Sequence, residues 1–236
     1  MSTRFPYPMV IFDLDGTLVD SAPGLALAVN RTLANWRLRA FDLDTIKGWV
    51  GEGARQLMTR AMHAAAGHAD LEEVMPCFLY HYGQTANDAM LYPGVADTLA
   101  QLRARGVRLA ICTNKPEQFV RPLLAARGIL DLFQAGIVGG DTLSERKPSA
   151  TPLLHLASQA GQDPMQCLMV GDSQSDVLAA HAAGIPLVLV RYGYPKALDL
   201  DAAGAVAVID AMPQLLTCAD LQGPPGMLSA HSRSNE

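Results

Sequence analysis

No cluster of lysine and arginine occurs anywhere in this 236-residue chain, whose 18 basic side chains are outnumbered by 23 acidic ones for a formal net charge of −5. That balance argues against a nucleic-acid partner or an anionic membrane surface, both of which need a concentrated positive field. Long hydrophobic runs are missing too. The longest, such as Ile185-Pro186-Leu187-Val188-Leu189-Val190, are strand-sized and far below the ~20 residues of a membrane-spanning helix. Residues 1–10 carry one Arg and two Pro but no apolar run of signal-peptide length. Cysteine is scarce: Cys77, Cys112, Cys167 and Cys218 are widely spaced with no CxxC pair. Two of them sit in apolar runs, where Cys behaves as a small hydrophobe, so free thiols in a reducing cytoplasm are expected rather than disulfides or zinc. The six histidines show no ligand spacing, and His63, His68, His81 and His155 read as ordinary helix-face or loop residues. No internal repeat is evident.

What the chain does have is ordinary globular material. Half its residues are hydrophobic and 17% are charged, enough for one large core or a core carrying an insertion. Continuous apolar runs at residues 8–12, 107–112, 135–138, 167–170 and 186–190 read as strands buried on both faces. Amphipathic segments alternate with them. Val95, Leu99 and Leu102 repeat at helical spacing, Leu123 and Leu124 lie in a segment that opens at Pro116, and residues 176–183 close at Gly184. Such alternation predicts an α/β fold, a doubly wound, Rossmann-like parallel sheet with right-handed crossovers.

One stretch breaks the pattern. Between Asp20 and Leu91 only helical spacing occurs, with Leu25, Val29, Leu33 and Trp36 on one face and Leu57, Met58, Ala61 and Met62 on another. That length is excessive for a βα connection and predicts an inserted α-helical cap. The expected organisation is a core of residues 1–19 and 91–222, a cap of residues 20–90, and a polar, breaker-rich tail at 223–236 expected to be disordered.

Four polar clusters follow the strands, where open parallel sheets bind ligands. They are Asp13-Leu14-Asp15-Gly16-Thr17, Thr113-Asn114-Lys115, Lys147-Pro148, and Gly171-Asp172-Ser173-Gln174-Ser175-Asp176. Taken singly, each has a structural explanation as good as a functional one: a turn, a helix cap, a surface lysine. All four in this order are hard to obtain by chance. Asp13 and Asp15, two apart past a strand, would point into the same crevice and repel, so a dication or a shared proton is expected between them. Hard oxygen donors point to Mg2+. The Asp-x-Asp-Gly spacing superficially suggests a calcium loop, but Thr17-Leu18-Val19 supplies none of the further ligands.

The combined set, with Leu18, Asp20 and Ser21, resembles the haloacid dehalogenase-like hydrolase superfamily over residues 10–190, and the helical insertion resembles its helical-cap subclass. Val50-Gly51-Glu52-Gly53 with Leu57, and Tyr92-Pro93-Gly94-Val95, are similar to phosphoglycolate phosphatases. The resemblance implies an enzyme acting on a small phosphate-ester substrate, without nucleic acid or membrane partners, as a monomer or homodimer in the cytoplasm. Asp13 would be the nucleophile that forms an aspartyl-phosphate, and Asp15 the general acid and then base. Mg2+ would be held by Asp13, the main-chain carbonyl of Asp15, and Asp172. Thr113, Asn114 and the amides near Gly16 would hold phosphoryl oxygens. Lys147 would neutralise charge, and Asp176 would orient Lys147 or a metal-bound water.

Within that superfamily Asp15 implies a phosphatase or phosphomutase, because dehalogenases lack the second Asp and no counterpart of the phosphonatase cap lysine is evident. Ala150 stands where many relatives have Pro. For the leaving group, Arg55 or Lys47 could meet a carboxylate such as that of glycolate, although both read more readily as exposed helix residues. The resemblance to phosphoglycolate phosphatases makes 2-phosphoglycolate the expected substrate. The alternatives are a sugar-phosphate or nucleotide phosphatase, a phosphomutase, or a non-catalytic phosphate-binding module. Mn2+ or Co2+ could also replace Mg2+.

Overall fold

The computed structural model describes residues 5–217 and Leu221; the expectation of a disordered tail at 223–236 lies outside them. Six parallel strands form the large sheet: β1 (Met9–Phe12), β4 (Arg108–Cys112), β5 (Ile137–Val138), β6 (Cys167–Gly171), β7 (Leu187–Val190) and β8 (Ala207–Ile209). Their spatial order is β5-β4-β1-β6-β7-β8, every neighbouring pair parallel. The chain therefore builds outward from β1 on one side through β4 and β5, then returns to β1's other side at β6. That reversal opens a crevice beyond the carboxyl end of β1.

The strands read as unbroken apolar runs because both faces are covered. Val10 and Phe12 of β1 share one apolar cluster with Leu109, Ile111, Leu168 and Val170, while Met9 and Ile11 share the opposite one with Ala110, Cys112, Cys167 and Met169. Helices α5 (Val95–Ala104) and α6 (Glu117–Ala126) close the first face through Leu99, Leu102, Leu123 and Leu124. Helices α7 (Thr151–Gln159) and α8 (Gln174–Ala183) close the second through Leu153, Leu156, Val177 and Ala180. The result is three layers, helix–sheet–helix.

Between Asp20 and Met90 lie four helices: α1 (Ala22–Asn35), α2 (Leu43–Lys47), α3 (Ala54–Ala64) and α4 (Leu71–Gly83). They share their own apolar cluster, including Leu25, Val29, Leu33, Leu57, Met58 and Phe78. Two features there escape a periodicity reading. Helix α4 holds an internal Pro76, a residue that normally stops a helix, yet Val74, Phe78 and Tyr82 at i, i+4 spacing form one buried face. The two chain crossings also pair as a short antiparallel ladder, β2 (Val19–Asp20) with β3 (Met90–Leu91). Two-residue strands carry no pattern to detect. No described helix is long and apolar enough to cross a membrane.

Candidate active site

The site begins where β1 ends. The Asp13 amide donates to the Val170 carbonyl at 2.9 Å, extending the β1–β6 ladder by one residue and holding the side chain at the sheet edge. The chain then turns tightly, the Gly16 amide donating to the Val19 carbonyl at 2.9 Å. Gly16 has φ +89°, and a Cβ there would lie 2.8 Å from the Tyr194 ring and 2.9 Å from the Asp172 carboxyl carbon. Glycine satisfies both the left-handed backbone and the close approach.

A chain of three buried charged groups organises the centre. Lys147 Nζ lies 2.9 Å from Asp13 Oδ1 and 2.6 Å from Asp176 Oδ1. The other Asp176 oxygen accepts from the Asp172 and Ser173 amides (3.2 and 3.0 Å) and from Ser173 Oγ (2.7 Å). The first turn of α8 thus fixes Asp176 as an N-terminal acceptor, Asp176 fixes Lys147, and Lys147 fixes Asp13. Asp172 is held independently: Thr17 Oγ1 donates to Oδ1 at 3.0 Å and the Tyr194 amide to Oδ2 at 2.6 Å.

The electrostatics follow from burial. Desolvation pushes the Asp13 carboxyl up to about 6 against the opposing pull of Lys147. Desolvation, joined by the charges of Asp13 and Asp176, drives Asp172 well above the usual carboxylate range. Burial works against the Lys147 charge, yet Asp13 and Asp176 hold its ammonium above the ordinary lysine range. Carboxylate oxygens of Asp13, Asp172 and Asp176 all lie within 4.8 Å of one another. Three carboxylates against one ammonium leave a formal charge of −2, in an all-oxygen donor set. A hard divalent cation fits that charge and those donors.

Asp15 behaves differently from a carboxylate sharing a cation with Asp13. Its side chain pairs with Lys115, Nζ to Oδ1 2.9 Å, so each aspartate of the motif has its own lysine. Sequence spacing suggests repulsion between the two that a dication or a shared proton must relieve; separate ammonium groups do much of that here. Lys115 also donates to the phenol of Tyr82 on α4. Burial disfavours its charge, but Asp15 and Tyr82 together hold the ammonium above the ordinary lysine range.

Thr113 and Asn114 follow β4 as expected. Thr113 Oγ1 accepts from the Lys115 amide at 3.2 Å, leaving its hydroxyl hydrogen free to donate. The Asn114 amide group donates to the carbonyls of Gly51 (3.1 Å) and Lys147 (3.0 Å). Its side chain therefore ties the Gly51 loop of the helical segment to the lysine loop. A cavity joins Asp13, Asp15, Thr113 and Lys115 to the helical segment's Val50, Leu57 and Tyr82.

Neither cation singled out for a leaving-group carboxylate reaches that cavity. Arg55 pairs with Glu72 on the surface, and Lys47 sits 5.1 Å from the Tyr194 ring centre. Three contributors have no signal of their own in the sequence. Tyr82 lies inside a Pro-containing helix. Tyr194 belongs to no cluster, yet its amide holds Asp172 and its hydroxyl donates to Asp20. Lys115 stands inside a recognised cluster, but its residue type alone does not distinguish a buried ion pair from a surface lysine.

Comparison with known proteins agrees with this architecture. The profile of the haloacid dehalogenase-like hydrolases matches residues 7–184. A Pseudomonas putida phosphoglycolate phosphatase is 44% identical over 218 residues, covering 90% of this chain and 80% of its own length. A Rhodospirillum rubrum phosphoglycolate phosphatase is 46% identical over 209 residues, covering 85% and 86%. A crystal structure from Haemophilus somnus 129pt, described as a predicted phosphoglycolate phosphatase, superposes with a TM-score of 0.86 at 36% identity, over 90% of this chain and 98% of that one.

Proposed function

Because this chain belongs to the haloacid dehalogenase-like hydrolase family, we propose that it hydrolyses a small phosphate monoester, 2-phosphoglycolate, through an aspartyl-phosphate on Asp13. The observation that carries this reading is the Asp13–Lys147–Asp176 chain beyond β1, with Asp15 two residues on and held by a separate lysine. Relatives named phosphoglycolate phosphatase at 44% and 46% identity support the substrate.

The chemistry follows from the groups present. Asp13 attacks phosphorus in line, forming an Asp13 O–P bond as the P–O bond to the leaving group breaks. Asp15 gives that oxygen its proton, and then removes one from the water that hydrolyses the acyl phosphate. The aspartate is regenerated and inorganic phosphate leaves. Lys147 keeps its charge throughout and offsets the negative charge on nucleophile and phosphoryl oxygens. Thr113 donates its hydroxyl to the phosphoryl group, and the amides near Gly16 contribute further donors. Asp13, Asp172 and the Asp15 main-chain carbonyl would hold Mg2+, which when bound supplies further neutralisation of the carboxylates and phosphate. Residues 20–90 act as a cap that excludes bulk water over the cavity. The free thiols of Cys77, Cys112 and Cys167 fit a reducing cytoplasm.

The deciding experiment is phosphate release from a panel of small esters with and without Mg2+. Magnesium-dependent turnover favouring 2-phosphoglycolate is expected. Preference for sugar phosphates or nucleotides would overturn the substrate and leave the mechanism, and net isomerisation without release would indicate a mutase. No turnover by folded protein with metal present would overturn the hydrolase reading.

Metal binding also has a pH signature in stability. The cation takes ionised carboxylates, whereas burial raises the proton affinity of Asp13 and Asp172. Protons and Mg2+ therefore compete. At about 100 times its dissociation constant, Mg2+ is expected to stabilise the protein by about 2.7 kcal/mol, or about 5–10 °C in Tm, at pH 7.5. At pH 5 the gain shrinks to a small fraction of that. Thermal melts with Mg2+ and with chelator check this; an equal gain at both pH values would refute it.

A further inference from the structure

Buried ammonium groups are costly and need a reason. Lys147 has one in the two carboxylates it joins, but Lys115 faces a cavity, its side chain only 1% exposed. Two of its three hydrogens are spent among the described residues, on Asp15 and on Tyr82. We propose that Lys115, braced by Tyr82, is the residue that selects a leaving group carrying a carboxylate next to the ester carbon.

The argument is one of placement, and it rests on the phosphatase reading above. Asp15, as the acid, must stand within hydrogen-bond reach of the ester oxygen, about 2.7 Å. Lys115 Nζ lies 2.9 Å from that same carboxylate. In 2-phosphoglycolate the carboxylate is joined to the ester oxygen through a single methylene. A substrate seated against Asp15 therefore carries its carboxylate into the neighbourhood of Nζ, where the third ammonium hydrogen is available. Tyr82 accepts from Lys115 and keeps its own phenolic hydrogen to donate, since burial pushes the phenol up to about 12. Because α4 supplies that phenol, the helical segment completes the carboxylate site. Among the described residues that line the cavity, Lys115 is also the only cation. Apart from Tyr82, the lining from the helical segment, including Leu25, Val50, Ala54 and Leu57, offers no polar side chain among the described residues to bind the hydroxyls of a sugar.

The test compares 2-phosphoglycolate with ethyl phosphate, which has the same chain length and no carboxylate. Wild type is expected to favour phosphoglycolate. Lys115→Met disturbs Asp15 and so lowers turnover of both esters, but the loss of kcat/KM on phosphoglycolate should exceed that on ethyl phosphate by about 10²-fold, the size of one lost charged contact in a desolvated site. Lys115→Arg should keep part of the preference. Tyr82→Phe should shift the same ratio by about 10-fold, mainly through KM, and decides the matter if Lys115→Met fails to fold. An unchanged ratio in these variants, or a wild type that turns over both esters equally well, overturns the inference while leaving the phosphatase intact. Failure of wild type on every ester removes the phosphatase reading and this inference with it.

Discussion

Asp13→Asn is expected to lower magnesium-dependent phosphate release by at least about 10⁴-fold, the scale seen when an enzyme loses its nucleophile, while raising the thermal midpoint of the metal-free protein at pH 7. Loss of activity follows because an amide cannot form the acyl phosphate. The stability gain follows from burial. Folded Asp13 holds its proton up to about 6 against 3.8 for the ordinary group, so the folded state binds more protons than the unfolded chain between those values. Stability is then lost as pH rises from about 4 to about 6, by on the order of 2–3 kcal/mol in the absence of metal. An asparagine carries no such cost. Its oxygen still accepts from Lys147, which keeps Asp176 at 2.6 Å. The variant should therefore melt a few degrees higher than wild type at pH 7 without metal, show no such gain at pH 4, and respond less to Mg2+. Turnover above about 1% of wild type would mean that Asp13 is not the nucleophile. A markedly lower midpoint at pH 7 would mean that the Asp13–Lys147 pair outweighs the desolvation of the carboxylate.

Five of the six strands in the large sheet are legible as apolar runs because the sheet is covered on both faces. Beta strand β8 is not. It is three residues at the sheet edge, its middle residue Val208 only half-buried, and it follows the Gly204 turn without a distinguishing pattern. The four clusters of the site are legible for a related reason: each directly follows a strand or a short loop after one, so parallel topology alone gathers them at one edge. Their pairings are another matter. Two carboxylates two residues apart look coupled to each other, yet the chain brings Lys147 to Asp13 from 134 positions away (147 − 13) and Lys115 to Asp15 from 100 (115 − 15). No local spacing encodes which lysine meets which aspartate. Tyr194, 22 positions beyond Asp172, belongs to no cluster, because what it contributes to Asp172 is a main-chain amide that any residue could supply.

The same lysine network makes Lys147→Met the most damaging substitution for folding as well as for catalysis. Removing the ammonium leaves Asp13 and Asp176 buried with Asp172, three carboxylates and no cation. Breaking a buried pair by deleting one partner typically costs about 3–5 kcal/mol, which corresponds to about 6–20 °C in Tm for a chain of this size. Activity should fall by at least about 10³-fold, since the phosphoryl group loses a fixed positive neighbour. The loss of stability should be larger at pH 7.5 than at pH 5, because protonation relieves unpaired carboxylates. Mg2+ should restore part of the stability and little of the activity. Adding Asp176→Asn to Lys147→Met then separates charge from packing: the asparagine oxygen can still accept from the Asp172 and Ser173 amides at the start of α8, while one buried charge is removed. The double variant is expected to recover several degrees of Tm over Lys147→Met and none of its turnover. If it is instead no more stable than the single variant, the cost of losing Lys147 lies in the packing of its aliphatic stem rather than in the uncompensated charge of the carboxylates around it.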